Sequence, residues 1–594
     1  MGDMPIEDLG LVGNCQISAL VARDGTIPWC CLPRFDSEPV FGALLDREEG
    51  GSFGVTPAGG GKGTQAYLPN TNVLETTFTT PDGSFRVIDF APRYFRHGDR
   101  AYRPVQLMRI VEPIDGTPRV RAWCDPILGW SKKRPQKRMG STHIRYGGYS
   151  QPLRLTTDIP LSYLEGEGRD FSLTGRRHLV LSWGRPVEAS LASLCSRSLG
   201  DTVRYWQRWV KHCNMPSIFQ QEVIRSALTL KLHCFEDTGA IVAAMTTSIP
   251  ESPDDTGRTW DYRYCWLRDA YYVLAALRRL GHFEEREKFV EYLLDIAGAS
   301  PNLDLAPLYR VDGSRELDEH ILTHWPGYEG HGPVRIGNGA ATQLQHDIYG
   351  EMVLALAPVF LDDRFRQEAT PHALELVRRL TDRAVQVAGT PDAGIWEHRT
   401  VPRPQTFSTL MCWAAADRMA KVASRHLPGV AGHYAGEAER IRQEILSKAW
   451  NPDIGSLVAT YGGSDLDASM LQVASLRMLP EDDPRLHKTI DTLSRELAGD
   501  GWMFRYREDD GFGRPSVGFI ICTFWLVEAL AMAGRLSEAR TVLDRARGAL
   551  SPLGLLSEDY EVGTRRMWGN FPQAYSHVGL IHAAFSASPR WTEL

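Results

Sequence analysis

Two glutamates far apart in the chain have surroundings that could do chemistry. Glu397 closes Thr390-Pro391-Asp392-Ala393-Gly394-Ile395-Trp396-Glu397, and Glu558 lies within Leu555-Leu556-Ser557-Glu558-Asp559-Tyr560. A third segment, Trp260-Asp261-Tyr262-Arg263-Tyr264-Cys265-Trp266-Leu267-Arg268-Asp269, sets an arginine beside an aspartate behind a run of aromatics. Two carboxylates in a tryptophan-lined cavity are the equipment of acid/base hydrolysis at a sugar. Ile395 and Trp396 are expected to desolvate Glu397 and raise its pKa, as a general acid requires. Glu558, between Ser557 and Asp559, is expected to stay ionised as a base. Arg268 and Asp269 offer the donor and acceptor that hydroxyls need. Taken alone, each has a plainer reading: Asp269 as a charge at a helix N-terminus, Glu397 as an exposed loop residue.

The elements that must bring these residues together are helices. From about residue 217 onward, twelve segments of helical period can be read, near 217–234, 269–280, 284–298, 339–361, 370–387, 406–425, 438–449, 467–478, 486–497, 516–533, 535–549 and 573–586. Thr370 as cap with Pro371 in the first turn is a start signal. Connections alternate between long and short, and each long one follows an odd-numbered helix. A closed ring of six hairpins, an (α/α)6 barrel, therefore sends every long loop to one end. Glu397, Glu558, Trp260, Arg268, Asp269 and Arg505 then share that rim.

Residues 1–198 read as strands punctuated by Asp24-Gly25, Asp82-Gly83 and Asp115-Gly116. That pattern predicts an antiparallel β-sandwich, with residues 105–111 and the Ile114-Asp115-Gly116-Thr117 turn forming a hairpin. A linker helix is expected over 199–216, with Val203, Trp206 and Val210 on one stripe. The barrel then spans 217–594.

A formal net charge of −7 with interspersed signs argues against a nucleic-acid footprint, which would need a basic stripe. No apolar run of 18 residues is present, which argues against a membrane span, and Met1–Asp8 has no leader pattern. The ten cysteines lack metal-type spacing and are expected to be reduced thiols in a cytoplasmic protein. His320 and His324 stand four apart without the glutamate of a metal motif, and Lys62 in Gly59-Gly60-Gly61-Lys62-Gly63-Thr64 is not followed by Ser or Thr. The expectation is chemistry without metal or cofactor on a small-molecule substrate. Assembly into a homo-oligomer is left open.

Taken in order, the motifs resemble glycoside hydrolase family 15, the bacterial and archaeal trehalase and glucoamylase-like enzymes. They are Gly13-Asn14 through Pro28-Trp29-Cys30, Pro33-Arg34-Phe35-Asp36-Ser37, Trp260 through Tyr264, and Pro333-Val334-Arg335-Ile336-Gly337-Asn338-Gly339-Ala340. Gly394-Ile395-Trp396-Glu397, Arg505-Tyr506 with Glu508-Asp509, and Gly569-Asn570-Phe571-Pro572-Gln573-Ala574 complete the set. The resemblance implies Glu397 as general acid and Glu558 as general base. It also implies that Arg268, Asp269 and Arg505 hold the terminal glucose, with Tyr262 near the attacking water. Trp266 and Trp396 are further candidates for binding substrate. Phe407-Ser408-Thr409-Leu410-Met411-Cys412-Trp413 and the His320–Pro326 stretch depart from trehalase-like members, which bears on the leaving sugar rather than on the reaction.

The expected function is an inverting, exo-acting α-glucoside hydrolase releasing β-glucose, with α,α-trehalase ahead of a glucoamylase-like hydrolase of malto- or isomalto-oligosaccharides. Terpene cyclisation on a similar toroid would need acidic clusters, of which Asp465-Leu466-Asp467-Ala468 offers half. A sugar-sensing module on this scaffold would have lost one glutamate, and both are present.

Overall fold

The computed structural model of the protein describes residues 4–96, 101–254, 257–300, 302–365 and 369–593. Residues 1–3, part of the stretch read for a leader, lie outside the described residues.

The amino-terminal part is antiparallel. An eight-stranded sheet runs, in spatial order, through the strands Gln136–Met139, His143–Gly147, Leu153–Thr157, Arg177–Trp183, Gln106–Gly116, Gly83–Phe90, Leu74–Thr80 and Thr64–Tyr67. Its interior side chains, among them Leu107, Val111, Leu155 and Leu181, share one core with Phe53, Val55, Val120 and Ala122 of a four-stranded sheet. A fully buried ion pair ties the two sheets. Arg109 Nε donates to Asp89 at 2.7 Å, and its other nitrogens reach the carbonyls of Phe53 and Gly25. Gly25, with φ +85°, belongs to a turn that the sequence announced.

The Asp115-Gly116 hairpin is not formed. Strand Gln106–Gly116 pairs instead with Gly83–Phe90 and Arg177–Trp183, and the chain then crosses to the other sheet, where Arg119–Asp125 pairs with Ser52–Pro57. Pro118 carries no N–H with which to continue a ladder. The Asp82-Gly83 turn does close a hairpin, between Leu74–Thr80 and Gly83–Phe90.

The linker helix, α1 (Leu191–Lys211), begins eight residues before the expected position, 199. Its Leu191, Leu194, Leu199 and Val203 cover Ile88, Phe90, Met108, Ile110 and Val180 on the outer face of the large sheet. Since Leu107 and Val111 face inward while Met108 and Ile110 face α1, the strand is buried on both sides, as alternation dictates. Farther along α1, Trp206 and Val210 enter the core shared with the helical part.

Among the described residues, twelve further α-helices follow: α2 (Gln220–His233), α3 (Leu267–Leu280), α4 (Glu284–Gly298), α5 (Asp347–Leu361), α6 (Pro371–Val387) and α7 (Thr406–His426). The second half comprises α8 (Pro428–Lys448), α9 (Gln472–Ser475), α10 (Pro484–Glu496), α11 (Ile520–Met532), α12 (Leu536–Ala546) and α13 (Ala574–Ala587). Helices α3, α5, α7, α11 and α13, with the short α9 and the 3-10 turn before it, pack in sequence and close on themselves as an inner ring. They are buried on nearly every face, whereas α6, α10 and α12 of the outer ring bury a single stripe. The capping signal at the start of α6 is realised: the Thr370 hydroxyl accepts from Ala373 N at 3.1 Å. Helix α5 is shorter than the expected 339–361. Asn338 caps only a 3-10 turn over Gly339–Thr342, and the chain then extends at Gln343 before α5 begins. Among the described residues, no helix is long and apolar enough to cross a membrane.

The two parts are clamped together by buried charge. Lys231 of α2 pairs with Glu285 of α4 and with Glu236, and Glu236 also takes Arg93 from the β domain. Burial pushes the Glu236 carboxyl up, but Arg93 and Lys231 outweigh it and hold it well below the ordinary value.

Candidate active site

The long loops do emerge at one end, around a cavity of about 860 Å³ including its open mouth. All eight residues singled out from the sequence line it: Tyr262, Trp266, Arg268, Asp269, Trp396, Glu397, Arg505 and Glu558. They come from four different loops and the first turn of α3.

Glu397 is held in the left-handed region, at φ +58°, a conformation that costs a non-glycine residue energy and that clusters at functional sites. Its amide donates to Gly394 O, and its own carbonyl accepts from Gln343 Nε2 at 3.0 Å. Three donors converge on Oε1: Trp266 Nε1 at 2.6 Å, Arg268 at 3.0 Å and Gln345 Nε2 at 3.3 Å. The expected apolar shield is incomplete. Ile395 is buried in the core and Trp396 turns its indole N–H to Asp467, 2.9 Å away; both still line the cavity, and the Glu397 side chain keeps 22% exposure. Asp467, half of the acidic cluster weighed for other chemistry, thus fixes an aromatic wall. That wall continues through Tyr506, Phe519 and Trp525 around the Trp396 ring.

Glu558 lies at the floor of the cavity rather than on the rim, with 2% exposure. Tyr262 donates its hydroxyl to Oε1 at 2.9 Å and Gln573 its amide at 3.2 Å, while Oε2 has no hydrogen-bond partner among the described residues. The expectation that Glu558 sits in a polar, readily ionised setting is overturned. Burial pushes its carboxyl well above the ordinary value and the Glu251 carboxylate adds to this, against Arg505 and the Tyr262 hydrogen bond. Gly569, with φ +80°, packs directly on Glu558. A Cβ there would fall 2.5 Å from Glu558 Cβ and 2.8 Å from Oε2.

Arg268 is the hub of the opposite wall. Beyond Glu397 it reaches Gln345 Oε1 at 2.9 Å and Asp347 at 3.4 Å, with Asp269 at 3.8 Å. Asp269, in the first turn of α3, is pushed up to about 6 by burial, with Arg268 opposing and Glu397 adding. Arg505 pairs with Glu251, whose other oxygen accepts from Trp260 Nε1 at 3.0 Å. Arg258 completes this side, donating to Asp510 at 2.6 Å.

Sequence reasoning missed Glu251, Arg258, Gln345, Asp347 and Asp510. Gln573 was inside a quoted motif without being assigned a role, and Glu251 in Pro250-Glu251-Ser252-Pro253 carried no local signal. His320 is exposed, and His324 Nε2 lies 2.8 Å from Trp130 O, so neither histidine takes part. Among the described residues, no group of three metal-type ligands occurs.

The electrostatics give a pH prediction. If turnover requires the Glu558 carboxylate, activity falls as pH drops through a pKa displaced upward, so the acid limb lies above the usual carboxylate range of about 4. Glu251→Gln removes one of the raising charges and is expected to move that limb to lower pH. An unmoved or upward-shifted limb in a pH series of kcat/KM would detach the limb from Glu558.

Likeness to known proteins extends over nearly all of the chain. The family described as "Glycosyl hydrolases family 15" matches residues 217–585, and "Trehalase-like, N-terminal" matches residues 2–155. A protein named trehalase from Mycolicibacterium smegmatis is 35% identical over 98% of this chain and 90% of its own length. One of the same name from Thermoplasma volcanium is 33% identical over 97% of this chain and 92% of its own. Among solved structures, a bacterial glucoamylase complexed with acarbose superposes with a TM-score of 0.64 at 15% identity, covering 98% of this chain and 93% of that one. At that identity the likeness speaks for the fold alone.

Proposed function

Because the chain belongs to glycosyl hydrolase family 15, and is therefore a glycosidase, we propose that it hydrolyses α,α-trehalose to two glucose molecules with inversion at the attacked carbon. The observation that carries the chemistry is the single cavity lined by Glu397 and Glu558 together with Arg268, Asp269 and Arg505. Full-length similarity to proteins named trehalase supports the choice of substrate.

The terminal glucose sits on the floor, its hydroxyls bound by Asp269, Arg268, Arg505 and Glu251, with the leaving glucose toward the mouth. Glu397, the more exposed carboxyl, faces the leaving sugar. Its proton passes to the glycosidic oxygen as the bond from that oxygen to C1 breaks. A water on the opposite face attacks C1 and loses its proton to Glu558 Oε2, the oxygen without a partner among the described residues. Tyr262 and Gln573, bound to Oε1, hold the carboxylate in register. Both protons are accounted for, and the product at the attacked carbon is β-glucose. All ten cysteines are free and nine are buried, which supports a reducing compartment such as the cytoplasm.

Glucose release from trehalose, maltose, isomaltose and maltotriose, measured side by side, tests the substrate; trehalose is expected to show the highest kcat/KM. Proton NMR in the first minutes, before mutarotation, tests the stereochemistry. Because trehalose hydrolysis by inversion frees one α-glucose as leaving sugar and one β-glucose, equal initial amounts of the two anomers are expected. Release of α-glucose alone would mean retention and overturn the roles given to Glu397 and Glu558. A clear preference for maltotriose would replace trehalose with the glucoamylase-like reading.

A further inference from the structure

At the mouth of the cavity a side-chain lattice ties three of the long loops to Trp260, which lies on a fourth. Trp260 is its centre. The Arg399 guanidinium lies over the Trp260 ring at 4.2 Å and that of Arg335 at 4.8 Å, while Phe512 meets the ring edge-on at 5.2 Å. Arg399 and Arg335 share a single carboxylate: Glu319 Oε2 takes Arg399 at 2.8 Å and Oε1 takes Arg335 at 2.9 Å. Glu319 Oε2 also accepts from the amide of Gly339 at 3.0 Å. Arg399 belongs to the loop of Glu397, Glu319 to the loop between α4 and α5, and Phe512 to the loop of Arg505.

This lattice stands between the floor and solvent. Glu558, Asp269 and Arg505 are buried, whereas Arg399 is exposed, Trp260 and Phe512 are half-buried, and all three line the cavity. Trp260 connects the two levels. Its indole N–H donates to Glu251, which also holds Arg505, so one edge faces the floor while the ring is covered by arginine. A tryptophan face already occupied by guanidinium is not open to stack a further sugar ring.

Building on the trehalase reading, we propose that Arg399, held by Glu319 over Trp260 and flanked by Phe512, is a specificity gate that closes the mouth beyond the second sugar ring. On this proposal the two glucose units of trehalose occupy the space between the buried floor residues and Arg399, all of which line one cavity. A third ring in line would have to displace a guanidinium bound to a carboxylate and an indole at once, leaving Glu319 with Arg335 as its one cation and the Gly339 amide as its other donor. Such exclusion by an unfavourable displacement is how specificity is commonly set.

The test is the ratio of kcat/KM for maltotriose to that for trehalose, in the parent protein and in Arg399→Ala and Phe512→Ala. The parent is expected to favour trehalose, and each variant to raise the ratio by tenfold or more, about 1.4 kcal/mol of lost discrimination. Phe512→Ala guards against misfolding of the Glu397 loop, because Phe512 sits on a different loop. Equal losses on both substrates in Arg399→Ala, with the ratio unchanged in Phe512→Ala, would make Arg399 a support for the Glu397 loop and overturn the gate. A parent that prefers maltotriose sinks the trehalase reading and the gate together, whereas a parent that prefers trehalose with unaltered ratios in both variants sinks only the gate.

Discussion

Glu397→Gln and Glu558→Gln are each expected to lower kcat by about 10²–10⁴-fold, the usual worth of one general acid or base. The two losses should separate by substrate. Fluoride leaves without protonation, so Glu397→Gln is expected to recover most of its activity on α-glucosyl fluoride, and Glu558→Gln to recover none. Stability should not fall in Glu558→Gln. Its carboxyl sits where burial and Glu251 disfavour the charge, and an amide of the same shape removes that charge. Kinetics on both substrates with a thermal melt for each variant checks all three statements. Parent-like kcat on trehalose in either variant removes that residue from the mechanism, and recovery of Glu558→Gln on the fluoride would exchange the two roles.

Gly569→Ala is expected to cost about 10²-fold in kcat, the penalty that a misplacement of roughly 1 Å can impose on a reacting group. The added methyl would stand 2.5 Å from Glu558 Cβ and 2.8 Å from Oε2, and alanine resists a φ of +80°. The strain is local, and the backbone cannot retreat freely because Gly569 N donates to Pro250 O at 2.7 Å. Gly563, in the turn between the two strands that follow Glu558, has open space around it, so Gly563→Ala serves as the control and is expected to behave like the parent. If Gly569→Ala turns over at the parent rate, Oε2 of Glu558 is not the atom whose position limits the reaction.

The helical half was legible because helix signals are local. The stripe Leu376, Leu380, Ala384 and Val387, the Thr370 cap and the alternation of long and short connections each depend on residues a few positions apart, and all appear in the structure. From that alternation alone, Glu397 and Glu558 could be sent to the same end of the barrel. Strand pairing is not local, and there the reading slipped. Nothing near Asp115-Gly116 tells that Gln106–Gly116 will pair with Gly83–Phe90 and that the next strand will cross to another sheet.

Site electrostatics were the least legible part, for the same reason carried further. The neighbours of Glu397 and Glu558 in sequence suggested which carboxyl would be shielded, but Coulomb interaction and burial act through space. Glu251, Tyr262 and Arg505, which set the state of Glu558, come from two other loops, and Trp266, Arg268 and Gln345, which converge on Glu397, come from the loop of Tyr262, the start of α3 and a third loop. Residue type and short-range spacing encode the helical pairing and the placing of Glu397, Glu558, Arg268 and Asp269 at one end of the barrel, and these could be read along the chain. Only the tertiary structure decided which glutamate is buried, which groups face it and how Arg399 covers Trp260, because each depends on distances between segments whose order along the chain leaves their approach unspecified.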